Sequence, residues 1–436
     1  MAFDTGRVTF TRFRVQGDAP ASVDETMLGI LNESRFRESE IGTPEEVEAG
    51  FTTGLHLFDV QFDYSKNGFG HLAHFALRLD THKVPGDVKK AYKVMNELAA
   101  AEGNPTGFAS KSEKREAAET TKEQLREELA SGKYRKSKIV PLLWDLKTGT
   151  LYCGASGTTV IEHLSRLMRQ AFAVDLLNLS AGVLAGELIK AQGRSRDYED
   201  LQPSAFTKPP AAPAGQDDEE EPAAYGDQPT LPWIAKSVDL KDYLGNEFLM
   251  WLWWTGERAG ATGGVETANA GEVFVAIDQA LDMDCAWELT GKQTLRGEGP
   301  TRLPEAGDAL RTGKWPRKAG LIVADTEYQW QLNLQGDQMT VGAAQLPEFD
   351  DASTPREVAE RRFGLVTQMA ATLDALYDTF LGKRAGGQWK GTREKISAWI
   401  TARQKKTVAV AASALPPAPA AEATPLAPAE PQPAGV

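Results

Sequence analysis

Cysteine and histidine are scarce in this chain, with two of the first and five of the second among 436 residues. Cys153 and Cys285 lie far apart and fit no CxxC spacing, which argues against a disulfide framework or a thiolate zinc site and for two buried thiols in a reducing compartment. His71 and His74 fall in GHLAHFALRLD, which reads as a strand, where a spacing of three puts them on opposite faces; no metal site is expected. No uninterrupted apolar run reaches the roughly 18 residues of a membrane helix, and MAFDTGRVTFTRFRV lacks a basic region followed by an apolar one. A cytoplasmic protein without membrane contact is expected. The phosphate-binding pattern GxxxxGK[ST] is missing too, which argues against ATP-driven action.

What the chain does contain is 41% hydrophobic and 25% charged residues, with a formal net charge of −13. That is the composition of a folded protein, and the length suits two folded units with connecting material. Residues 197–232, DYEDLQPSAFTKPPAAPAGQDDEEEPAAYGDQPTLP, hold nine acids and one lysine and little aliphatic content, so they read as a linker that cannot offset its ordering entropy by burial. About eight of the thirteen excess negative charges sit there. Residues 406–436 read as a disordered Pro/Ala tail. The folded parts expected are therefore 1–196 and 233–405.

In the first half, RVTFTRFRV, LHLFDVQFDY and HFALRLD alternate as half-buried strands do. A helix from about Pro85 to Ala101 follows, ended by Gly103. IVPLLWDL and GTLYCGAS predict a hairpin turning at Lys147-Thr148-Gly149, and Val160, Ile161, Leu164, Leu167, Met168 and Phe172 predict a helix packed on that sheet. In the second half GNEFLMWLWW, VFVAID, MDCAWELT, LIVADTEYQWQLNL and QMTVGAAQL all read as strands, closed by a helix from about Pro355 to Leu381. Strands and helices alternate without a βαβ rhythm, so the fold class expected is α+β. Trp251, Trp253 and Trp254 could stack single-stranded bases, but core packing is the better reading, as for Trp144, Trp287, Trp315 and Trp330.

The most unusual feature is basic. Ser110 and Glu113 form a capping box and Gly132 a stop, which predicts a helix over 111–130. On it Lys111, Arg115, Lys122 and Arg126 fall within an arc of ~60°, with Lys114 nearby. Glu113, Glu116, Glu123 and Glu127 lie opposite, and Ala118, Leu125 and Leu129 mark a narrow apolar strip beside the bases. KYRKSK then adds Lys133, Arg135, Lys136 and Lys138. Such spacing suits a polyanion, nucleic-acid backbone above all. It equally suits a solvated helix face held by i,i+4 pairs. No element reads bases, so DNA contacts would be to phosphate. Asp59 and Asp63, joined by Asp80 or Asp145, could instead hold Mg²⁺ as in a nuclease.

Taken in order, FALRLDTHKVPGDVKKAYKVMNE, SKSEKREAAETTKEQLREEL and IVPLLWDLKTGTLYCGASGTTVIEHLSRLMRQAF, with GNEFLMWLWW and LRGEGPTRLPEAGDALRTGK further on, resemble the recombination-associated protein RdgC family. The resemblance covers the chain outside the linker and tail. It implies a non-enzymatic DNA-binding protein without sequence preference or cofactor, associated with the nucleoid. It also implies an elongated, curved subunit whose two mixed halves pair into a ring-shaped homodimer around duplex DNA, and a restraint on RecA-type filaments by competition for DNA. Carried onto this sequence, the DNA-facing positions are the bases of the charged helix and the loop after it, with Arg78, Lys83, Lys89, Lys90 and Lys93 as further candidates. The acidic linker and Pro/Ala tail depart from the shorter family members. A protein-interaction module with an incidental basic helix is the remaining alternative.

Overall fold

The computed structural model describes residues 3–38, 46–102, 104–105, 107–210, 228–259, 264–349, 352 and 354–412, with backbone alone from 404 onward. The chain opens with β1 (Val8–Gln16), α1 (Glu25–Glu33), β2 (Val47–Thr52), the single turn α2 (Tyr64–Asn67), β3 (Gly68–Phe69) and β4 (Leu72–His82). Two antiparallel helices follow, α3 (Gly86–Ala101) and α4 (Lys111–Ala130), then β5 (Arg135–Asp145), β6 (Thr150–Cys153), α5 (Thr158–Phe172), β7 (Asp175–Asn178), α6 (Ala181–Ala191) and α7 (Ser195–Glu199). The second half holds α8 (Tyr243–Ala259), β8 (Val265–Thr267), β9 (Gly271–Cys285), β10 (Gln293–Gly297), α9 (Pro304–Arg311), β11 (Lys314–Ala324), β12 (Gln329–Gln335), β13 (Thr340–Gln345), α10 (Pro355–Arg384) and α11 (Trp389–Ala412).

The fold is mixed α+β. Among the described residues all thirteen strands join one antiparallel sheet, whose main path runs β10-β9-β11-β12-β13-β1-β6-β5-β4-β2. β1 makes that continuity possible. Its first residues pair with β13, Val8 opposite Ala344 and Phe10 opposite Val341, while Thr11 to Arg14 pair with β6. The N-terminal strand thus ties the last strand of the second half to the sheet of the first.

Two apolar clusters lie on this sheet. The smaller joins α1 and α5 to β1, β4, β5 and β6, with Val160, Leu164, Leu167, Met168 and Phe172 as the buried stripe of α5. The larger draws on both sides of the 197–232 segment, from Phe3 and Leu72 to Phe380 and Ile400. Parts of that segment are packed rather than loose: Tyr198, Leu201, Phe206 and Leu231 are buried, and Trp389 donates to the Ser204 hydroxyl at 2.8 Å. Its acidic centre, 211–227, lies outside the described residues, as do 413–436 of the tail. Residues 406–412, assigned to the tail from composition, continue α11.

Three expected strands take other forms, among them MDCAWELT, which leaves β9 after Cys285 and turns. GNEFLMWLWW lies in helix α8, where every residue from Phe248 to Trp254 is buried. A continuous apolar run has no period to separate a buried strand from a buried helix, and here the neighbours on all sides are apolar. LHLFDVQFDY is irregular until Asp63, whose side chain accepts from the Lys66 amide and caps α2.

Helix α10 holds the two halves together. Arg12 of β1 donates two hydrogen bonds to Asp374, at 2.7 and 2.8 Å, and Arg362 reaches the carbonyls of Phe3 and Gly6. Phe363 packs edge-on to Phe69 and stacks on His74 with centroids 4.7 Å apart. Farther along, Arg384 pairs with the fully buried Glu247 of α8.

Candidate nucleic-acid interface

Helix α4 spans the residues its caps predict. Ser110 accepts from the Glu113 amide, and the Glu113 carboxylate accepts in return from the Ser110 amide at 2.7 Å. It packs chiefly on α3 through Ala117, Thr121 and Leu125, not through Ala118, which is exposed and borders a groove. The contact is largely polar: Asn96 donates to Thr121 and Gln124, and Tyr92 donates to Glu128 at 2.7 Å.

The fourteen candidate bases do not form one line. Lys83, Lys89 and Lys93, from the β4–α3 corner, and Lys122 and Arg126 of α4 line one groove of about 640 Å³ together with Val84, Ala118, Leu125 and Leu129. Among its described lining residues Glu46 is the one carboxylate, and His82 closes the same end. Lys111, Lys114 and Arg115 are exposed on the outer part of α4, and Lys90 is exposed on α3. Two of these bases have distant carboxylate partners: Lys93 lies 3.9 Å from Glu97 and Lys122 3.8 Å from Glu119, pairs largely open to water.

The other candidates are held differently. Arg78 is 3% exposed, binds Asp80 through two hydrogen bonds at 2.7 and 2.9 Å, and lies over the Phe36 ring. Burial alone would raise the Asp80 carboxyl, but hydrogen bonds from Arg78 and Ser137 and the nearby Arg135 charge hold it below its ordinary range. Arg78 therefore faces the protein and not solvent. Arg135, Lys136 and Lys138 belong to strand β5, not to a loop. Period-2 alternation then separates them: Arg135 turns to Glu38 at 3.2 Å, while Lys136 and Lys138 stand on the opposite face. Lys133 pairs with Glu128, which also accepts from Tyr92 and Tyr134. Those three donors, Lys133 first, pull the Glu128 carboxyl down to about 2.

The carboxylates weighed for Mg²⁺ are likewise occupied. Asp59 binds Lys66 at 3.0 Å, Asp63 caps α2, Asp80 holds Arg78, and Asp145 accepts from the Lys147 and Thr148 amides. Among the described residues no group of three or more His, Cys, Asp or Glu side chains is placed to hold a metal ion. Trp251, Trp253 and Trp254 are core residues on α8, and Trp144, Trp287, Trp315 and Trp330 are buried as well. Compared with family models and with curated proteins, the chain gives no match to either. Among the described residues no helix is long and apolar enough to cross a membrane.

One surface escaped the sequence reading. Val94, Met95 and Leu98 of α3 are 46%, 61% and 62% exposed, and Phe108 between α3 and α4 is 77% exposed. Their i, i+1, i+4 spacing is that of a core-facing stripe, yet α3 turns Tyr92 and Asn96 to α4 and leaves the apolar stripe outside.

Proposed function

We propose that the chain is a sequence-independent DNA-binding protein of recombination, resembling the RdgC family, which closes as a homodimer around duplex DNA and thereby restrains RecA-type filaments. The observation that carries this reading is the convergence of Lys83, Lys89, Lys93, Lys122 and Arg126 on one groove of a protein whose net charge is −13. Local field, not net charge, governs what such a surface attracts. The bases come from two helices and a strand end, as a track for a backbone would, and positive charge is the main feature this lining offers a phosphate backbone. The apolar stripe of α3 and Phe108 supplies a surface for the second copy. In this reading the protein performs no chemistry and needs no cofactor, and it works in the nucleoid.

The test replaces Lys83, Lys89, Lys93, Lys122 and Arg126 with Ala and measures affinity for several duplexes of unrelated sequence. The reading expects a uniform loss of about ten- to a hundredfold at low salt. Unchanged affinity, or a loss confined to one sequence, would contradict it.

A further inference from the structure

The apolar part of the groove lining has no use for a phosphate backbone. Val84, Ala118, Leu125 and Leu129 add apolar surface to a lining that also holds Lys83, Lys89, Lys93, Lys122 and Arg126. A lining of bases and apolar groups is complementary to a peptide that carries carboxylates together with small apolar or aromatic side chains. This chain contains such a peptide. Residues 211–227, AAPAGQDDEEEPAAYGD, lie outside the described residues; their sequence has six acids, no base, five alanines and Tyr225.

We propose that the groove takes the acidic run Asp217–Glu221, with its flanking alanines and Tyr225, from a second copy of the chain. Five carboxylates in a row meet five bases. Reach favours a second copy over the same one. The buried anchors on either side of the run sit beside β9 and β11, in the half of the sheet away from β4: Phe206 lies 5.2 Å from Trp315 at the start of β11, and the Leu231 amide donates to the Ala286 carbonyl. From β11 to β4 the sheet order takes six steps, roughly 29 Å at about 4.8 Å each, before the helices begin. The 24 residues 207–230 connect these anchors, and a chain of that length could reach at most about 40 Å out and back. Even the span from β11 to β4 would draw the connection out to about three quarters of its reach, an ordering cost that a second copy avoids.

Binding of the run stands on the groove alone. Its consequence, that the run competes with DNA for the same bases, rests on the DNA reading above. A labelled synthetic peptide of residues 211–227 is titrated by anisotropy with a full chain in which Asp217 and Asp218 become Asn and Glu219, Glu220 and Glu221 become Gln. Saturable binding at low salt is expected, at least about tenfold weaker after Lys89→Glu with Lys122→Glu and also weaker after Leu129→Ser, with circular dichroism unchanged. No saturable binding, or binding indifferent to these changes, overturns the proposal. If duplex DNA binds and the peptide does not, the DNA reading survives and this inference falls; if the peptide binds and DNA does not, the reverse holds. Sedimentation then assigns the copy. Salt-sensitive self-association of the unaltered chain should be reduced in the acid-neutralised one, and equal association in both overturns the second-copy assignment.

Discussion

At the residue scale, two titrating groups report how the chain is held. Glu128 accepts from Lys133, Tyr134 and Tyr92, and its carboxyl is drawn down to about 2. Its folded value lies below the ordinary carboxylate value, so its contribution is present above about pH 4.5 and is lost as pH falls through about 2. Carbon-detected NMR should show Glu128 titrating near 2, and Lys133→Met should move it back toward the ordinary range; a normal value in the unaltered protein would remove this contact. His74 works through burial. With its ring stacked on Phe363 and its Nε2 without a hydrogen-bond partner, desolvation lowers its pKa to about 4. An unfolded histidine titrates near 6.5, so stability is full above that pH and declines as pH falls toward 4, by about 3 kcal/mol. Urea unfolding between pH 7 and 4 should show this decline, and His74→Phe should flatten it.

At the scale of elements, α10 and the α3–α4 pair make different predictions. Asp374→Ala leaves the Arg12 guanidinium, 3% exposed, without its counter-charge. Breaking a fully buried pair costs about 3 to 5 kcal/mol, but Asp374 is 31% exposed and water screens part of that, so about 2 kcal/mol is expected in thermal or urea unfolding. The apolar stripe of α3 should matter to association and not to folding. Met95→Asp with Leu98→Asp should weaken self-association at least about tenfold with helix content unchanged, and sedimentation at several concentrations measures it. The difference between these elements also explains what the sequence could show. Capping fixed α4 to the residue because Ser110, Glu113 and Gly132 act locally. α8 reads as a strand because Phe248 to Trp254 carry no period, and the choice of helix is made by neighbours from β9, β11 and α10 that no local window contains. The groove was visible only as separate lysines: Lys83, Lys89 and Lys93 stand about thirty residues or more from Arg126 and meet it because α3 and α4 fold back on each other. Arg78 reads as one more base until its strand partner Asp80 is seen beside it.

At the scale of the molecule, the sheet that runs through β1 makes the two halves one continuous surface, and the acidic excess is distributed unevenly over the chain. About eight of thirteen excess charges belong to 197–232, whereas the lining of one groove holds five bases and one carboxylate. A protein can then be acidic overall and still present a cationic track, with affinity set by counterion release at that track. The most direct measurement is the salt dependence of binding to a labelled duplex of arbitrary sequence, comparing the unaltered chain with the variant in which Lys83, Lys89, Lys93, Lys122 and Arg126 are Ala. The account predicts a steep negative slope of log affinity against log salt, its magnitude reduced by about four to five when the five bases are removed. A slope unchanged by their removal, or negligible binding by the unaltered chain at low salt, would contradict it.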